Sequence, residues 1–201
     1  AITASTITVT ETVVSSGGNV TLDATTDVDI GADITTSGDQ TCPGAVTVTA
    51  TSVLDGVNVM FGSTIDGASD GSGDLTVTGS GTTTFTGRVG GTNRLATLTL
   101  DGGGISSFEA MGAGSTATPA VNTTGVQQYD DNVTLVENSA FMANNDNIIF
   151  NGTLDADAPA GANFIVAPGT ETVQFNADVG VTNALSGITT QGNSTLDINT
   201  A

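Results

Sequence analysis

The amino-acid sequence predicts an all-β chain wound as a β-solenoid, or parallel β-helix, of about nine laps of roughly 22 residues. Residues 1–201 read as a single domain of this kind. Three observations lead there. Apolar and polar residues alternate in short strict runs, no stretch carries a helical period, and large side chains recur at a nearly constant interval.

The alternation defines the strands. ITVTETVV (7–14), VTVTAT (46–51), LTVTG (75–79) and TLTLDG (97–102) each put aliphatic side chains on one face and threonine on the other, the pattern of a half-buried strand. DGASDGSGD, DGGG, NNDN and DADAPAG lie between the runs and carry turn chemistry. Pro43, Pro119, Pro159 and Pro168 sit in or beside turn clusters, where a missing N–H costs no ladder bond. In GDLTVTGSGTTTFTGRVGG (73–91) the expectation is Leu75 and Val77 inward on one wall and Phe85 inward on another, with Val89 closing the lap. Gly79, Gly81, Gly87, Gly90 and Gly91 then form corners.

The interval defines the lap. Phe61, Phe85, Phe108, Tyr129, Phe150 and Phe175 follow one another at 24, 23, 21, 21 and 25 residues, with Cys42 before them and Leu196 after. A second series, Ile34, Leu54, Leu75, Leu98, Val121, Phe141, Phe164 and Ile188, stays in phase with the first. A longer repeat aligns residues 32–104 with residues 119–193: ADITTSGDQTCPGAVTV matches PAVNTTGVQQYDDNVTL, and VMFGSTIDGA matches IIFNGTLDAD. A repeat of nearly 90 residues also suits two tandem immunoglobulin-like β-sandwiches, the alternative fold. Sandwiches give no reason for a uniform lap, whereas a solenoid stacks like on like at about 4.8 Å.

Charge excludes whole classes of partner. Twenty-one acidic residues face two basic ones, Arg88 and Arg94, for a net charge of −19. Neutralising phosphates is out of reach, so no nucleic-acid partner is expected. An anionic membrane surface is disfavoured for the same reason. No apolar run approaches about 18 residues, so no membrane insertion is expected either. Cys42 is the sole cysteine. Five Asn-x-Ser/Thr sites, at Asn19, Asn122, Asn132, Asn151 and Asn193, are about what chance yields in a chain so rich in these residues.

DITTSGDQTCPGAVTV and GDLTVTGSGTTTFTGRVGGTNRLATLTLDGGG resemble the β-strand repeats of filamentous-haemagglutinin-like and autotransporter-like bacterial surface adhesins. The resemblance covers most of residues 20–193 and is weakest in the N-terminal portion. Cys42-Pro43 stands where Tyr129-Asp130 keeps the more usual aromatic-polar pair. The resemblance implies a secreted solenoid stalk or fibre, extracellular or on the cell surface, and carries over no catalytic residue.

Few residues suggest chemistry. Asp66, Asp70 and Asp74, spaced by four in DGASDGSGD, are the candidate calcium ligands, and Asp27, Asp29 and Asp33 crowd a second turn. Solvated acidic turns are the plainer reading, and no other cofactor is expected. Asp130-Asp131 is the best carboxylate pair, but neighbours on a strand point to opposite faces. With no His or Lys available, the chain is not expected to be an enzyme. Cys42 is expected in the interior, and Arg88 and Arg94 either in solvent or against turn carboxylates of a neighbouring lap or subunit.

A solenoid presents unpaired strands at its ends, and neither ITVTETVV nor STLDINTA contains a capping device. The expected function is therefore structural: a subunit that stacks head to tail with copies of itself into a surface filament, or the stalk of a large adhesin. A carbohydrate- or surface-binding adhesin module, with host or neighbouring-cell glycans as partners, is the alternative.

Overall fold

The computed structural model describes residues 1–109, 114–159 and 161–199. They form strands and turns with no helix, and the strands coil into a three-walled β-solenoid. The second wall is the most regular, a nine-stranded parallel sheet of Val13–Ser15, Ile34–Thr36, Ser52–Asp55, Asp74–Val77, Thr97–Leu100, Gln127–Tyr129, Ile148–Phe150, Thr172–Phe175 and Thr195–Ile198. About eight turns separate its first and last strands. The third wall runs from the start of Val20–Ile30 through Gln40–Cys42, Val59–Phe61, Thr82–Phe85, Ile105–Phe108, Asn132–Leu135 and Leu154–Ala156. The first wall begins where Thr6–Val9 pairs with Asp27–Ile30, after a register shift from Ile2–Ala4 on Leu22–Ala24, and continues through Val46–Val48, Ile65–Gly67 and Val89. It then passes through Val121–Thr123, Ser139–Ala143, Asn163–Ala167 and Gly187–Thr190.

This arrangement excludes tandem immunoglobulin-like sandwiches, whose sheets are antiparallel. Among the described residues the one antiparallel pair is the small hairpin of Gly114–Ser115 with Thr118–Pro119. Alternation builds the walls as the sequence implies. Leu75, Val77, Phe85 and Val89 are fully buried and Thr76 and Thr84 lie on the opposite face, whereas Thr83 is buried on the same side as Phe85. ITVTETVV is not one strand, however. Ile7–Val9 belongs to the first wall and Val13–Ser15 to the second, because the chain turns a corner within the alternating run.

The aromatic series is also not a single column. Phe61, Phe85 and Phe108 stack on the third wall, with ring centroids 5.3 and 4.8 Å apart and planes within 13° and 7°. Phe108 then pairs with Leu135, and Tyr129 pairs with Leu100 on the second wall. There Tyr129, Phe150 and Phe175 form another stack, at 4.8 and 5.2 Å. The second series moves likewise: Leu75 and Leu98 pair on the second wall, whereas Val121 pairs with Phe141 on the first. Register supplies the reason. The second-wall lap spans 23 residues from Leu75 to Leu98 but 29 from Leu98 to Gln127, because it accommodates the hairpin. A residue 21 positions beyond Phe108 therefore lands one wall short of completing its lap.

Matching segments of the long repeat consequently lie on different walls, yet they keep their local hydrogen bonds. The Thr36 hydroxyl donates to the Gly38 carbonyl at 2.8 Å, and the Thr123 hydroxyl donates to Gly125 at 2.6 Å. Buried Gln40 donates to the Asp55 carbonyl, and buried Gln127 donates to that of Met142. Asp66 accepts from the amides of Thr92 and Asn93, as Asp155 accepts from those of Thr182 and Asn183.

Candidate functional site

The three candidate calcium ligands do not converge. Asp66 caps the turn one lap on, with Oδ1 accepting from Thr92 N at 2.7 Å and Asn93 N at 3.1 Å. Asp74 bridges three laps of the second wall, accepting from Thr97 at 2.8 Å and from Thr51 at 2.9 Å. Asp70 forms a two-pronged ion pair with Arg94, Nε to Oδ1 at 2.8 Å and Nη2 to Oδ2 at 2.6 Å. Among the described residues, no three acidic or other metal-binding side chains gather in one place. The second acidic turn is divided in the same way: Asp27 accepts from Thr47, Asp29 from Thr8, and Asp33 from the amide of Val53. These carboxylates fasten one lap to the next.

The Arg94 hydrogen bonds, with a smaller Coulombic contribution, hold the Asp70 carboxyl down at about 2. Its folded-state value thus lies below that of an unfolded aspartate. The interaction contributes above about pH 4 and is lost as the pH falls toward the folded value. Replacing Arg94 by Ala should return the Asp70 titration to the ordinary carboxylate range, read from its side-chain carboxyl ¹³C shift. An unmoved midpoint would show that the guanidinium is not the cause. Little change in melting temperature should accompany the substitution, because this pair is solvent-exposed. Arg88 instead donates from Nε to the Pro119 carbonyl at 2.8 Å.

Asp130 and Asp131 point apart. Asp130 accepts from Gln128 and Asn151 at the head of an amide ladder that continues through Asn176 to Asn199. Asp131 is buried and satisfied by the turn one lap below: Gly102 N donates at 2.8 Å, Gly104 N at 3.2 Å and the Ser106 hydroxyl at 2.9 Å. Such an arrangement binds a turn and leaves no shared space for a substrate between the two carboxylates.

Cys42 packs inside in register with Phe61, and burial pushes its thiol up to about 12. A thiol so rarely ionised at neutral pH is a poor nucleophile. The buried glutamines of the interior are not singled out by the sequence pattern. Gln127 Oε1 accepts the buried Tyr129 hydroxyl at 2.9 Å, while Gln40 Oε1 has no partner among the described residues, because Cys42 occupies the position aligned with Tyr129. The alignment of TSGDQ with TTGVQ was the available signal.

The most distinctive surface is the C-terminal end of the coil. Interior side chains elsewhere are sealed by the next lap, but here Val181, Ile188, Leu196 and Ile198 remain 67, 42, 44 and 59% exposed. With Phe175, Val179 and Asp178 they surround an apolar cavity of about 440 Å³. Gly187–Thr190 and Thr195–Ile198 each pair on one side only among the described residues. At the other end, Thr6–Val9 and Val13–Ser15 are likewise paired on one side, and they belong to the same first and second walls.

No family model, curated protein or solved structure matches this chain. The resemblance to bacterial adhesin repeats therefore rests on the residues themselves.

Proposed function

We propose that the chain is a structural rod that extends end to end, as the subunit of an extracellular surface filament or as a section of an adhesin stalk. The observation that carries this reading is the apolar C-terminal end, whose two one-sided strands lie in the same walls as the one-sided strands of the N-terminal end. A second copy placed head to tail can continue both sheets in parallel sense, with backbone hydrogen bonds supplying affinity.

Magnitudes favour cooperation between the two forces. Covering Val181, Ile188, Leu196 and Ile198 contributes on the order of 1 kcal/mol each. Association costs about 4–15 kcal/mol in lost freedom, so edge pairing has to add to apolar burial. The net charge of −19 opposes lateral clumping, and salt eases contact between copies. Sedimentation velocity and negative-stain microscopy should show rods that lengthen with protein concentration at moderate salt. Ile188→Asp with Ile198→Asp should leave monomers with an unchanged far-ultraviolet spectrum. Dispersed wild-type monomers at high concentration and moderate salt would sink the filament and leave only the stalk section.

A further inference from the structure

The hairpin of Gly114–Ser115 and Thr118–Pro119 interrupts the otherwise repetitive coil. Insertions in a solenoid project from one face, and that face is often where ligands are met. The hairpin lies outside the first wall and reaches several laps along it, its Thr116 hydroxyl donating to Gln191 Oε1 at 3.3 Å. Beside it is a groove of about 290 Å³ lined by Thr116, Arg94, Asn122, Met142, Asn144 and Gln191, among others. Asn122 and Met142 are register partners on neighbouring strands of the first wall. Asn145, the one non-glycine described with positive φ (58°), helps shape the rim.

The chemistry of the groove departs from that of the molecule. Among the described residues no carboxylate lines it, although the chain has 21 acidic residues. The end cavity includes Asp178, and three other surface grooves include Glu137, Asp155 and Asp39. Arg94 is charge-matched by Asp70, so the groove is close to neutral. Planar amides offer a donor and an acceptor together, which suits adjacent hydroxyl groups. Met142 adds an adaptable apolar surface for the C–H face of a ring. A polyanion would meet the charge of the whole protein with its one nearby cation already committed.

We propose that this groove binds a neutral saccharide unit. The site is independent of end-to-end assembly and adds a recognition function to the rod. The test is titration of ¹⁵N-labelled protein with glucose, galactose, mannose and N-acetylglucosamine at millimolar concentration, with N-acetylneuraminic acid as the anionic comparison. At least one neutral sugar should shift the amides of Asn122, Met142, Asn144 and Gln191. Asn122→Ala with Gln191→Ala should weaken that response about tenfold, as expected for the loss of two neutral hydrogen-bonding groups. Unchanged shifts elsewhere would report an intact coil, and Asn144→Ala probes the same groove should the double variant lose its fold. The proposal is overturned by no response to any neutral sugar, by a response only to the anionic sugar, or by one that the substitutions leave undiminished.

Discussion

Gly102→Ala should destabilise the coil by about 3 kcal/mol or more, at or beyond the upper end of ordinary overpacking. A β-carbon at this corner would overlap the carbonyl of Gly79, one lap below, and lie 2.7 Å from its nitrogen. Retreat is blocked on both sides. Asp101 N donates to Val77 O at 2.9 Å, and Ile105 N donates to Gly81 O at 2.9 Å, which holds the two laps at ladder spacing. Two neighbouring glycine types separate this effect from simple loss of flexibility. Gly103 has φ +71° with open space around it, so Gly103→Ala should cost only the left-handed penalty of about 1–2 kcal/mol. Gly17 has neither positive φ nor a neighbour within 4 Å, and Gly17→Ala should lie within about 0.5 kcal/mol of the parent. Thermal melting resolves this order, since each kcal/mol moves a chain of this size by about 2–4 °C. If Gly102→Ala melts no lower than Gly103→Ala, the laps are not in backbone contact at that corner.

Phe85→Ala should cost about 3–5 kcal/mol, the range for removing a buried aromatic ring. Phe85 is the middle of three stacked rings and fully buried, so its loss breaks both stacks and leaves a void. Pairing of Thr83–Phe85 with Val59–Phe61 below, and of Thr82–Phe85 with Ile105–Phe108 above, resists collapse of the wall into that void. Phe175→Ala provides the comparison. Its ring stacks on Phe150 alone and borders the open end cavity, so the coil can relax there and the loss should be smaller. Denaturant midpoints that rank Phe175→Ala equal to or worse than Phe85→Ala would contradict a closed interior column at Phe85.

Much of the architecture is legible because local pattern and global fold use the same period. Alternation in LTVTG places Leu75 and Val77 inward whichever strands they meet, and the interval to Leu98 is one true lap. The failure at Phe108 and Tyr129 is equally informative. Spacing measures distance along the chain, while stacking depends on how much chain each corner consumes. The hairpin consumes enough to move the aromatic columns to the next wall. The candidate acidic site was less legible. DGASDGSGD brings three carboxylates close in sequence, but each is taken by a different donor a lap away. The amide-lined groove left no local signal at all, since Arg94, Thr116, Asn122, Met142 and Gln191 meet only when five segments are coiled together.

By itself, the sequence determined that this chain is all-β, that it winds into repeated laps, and which aliphatic and aromatic side chains seek its interior. Those properties follow from short-range alternation and from the cost of leaving apolar surface in water. Only the tertiary structure decided which ring lies above which, how Asp131 and the buried glutamines are satisfied, and where an apolar end and a carboxylate-free groove open to solvent. Those outcomes depend on the register of successive laps, and register is the cumulative length of every corner before it.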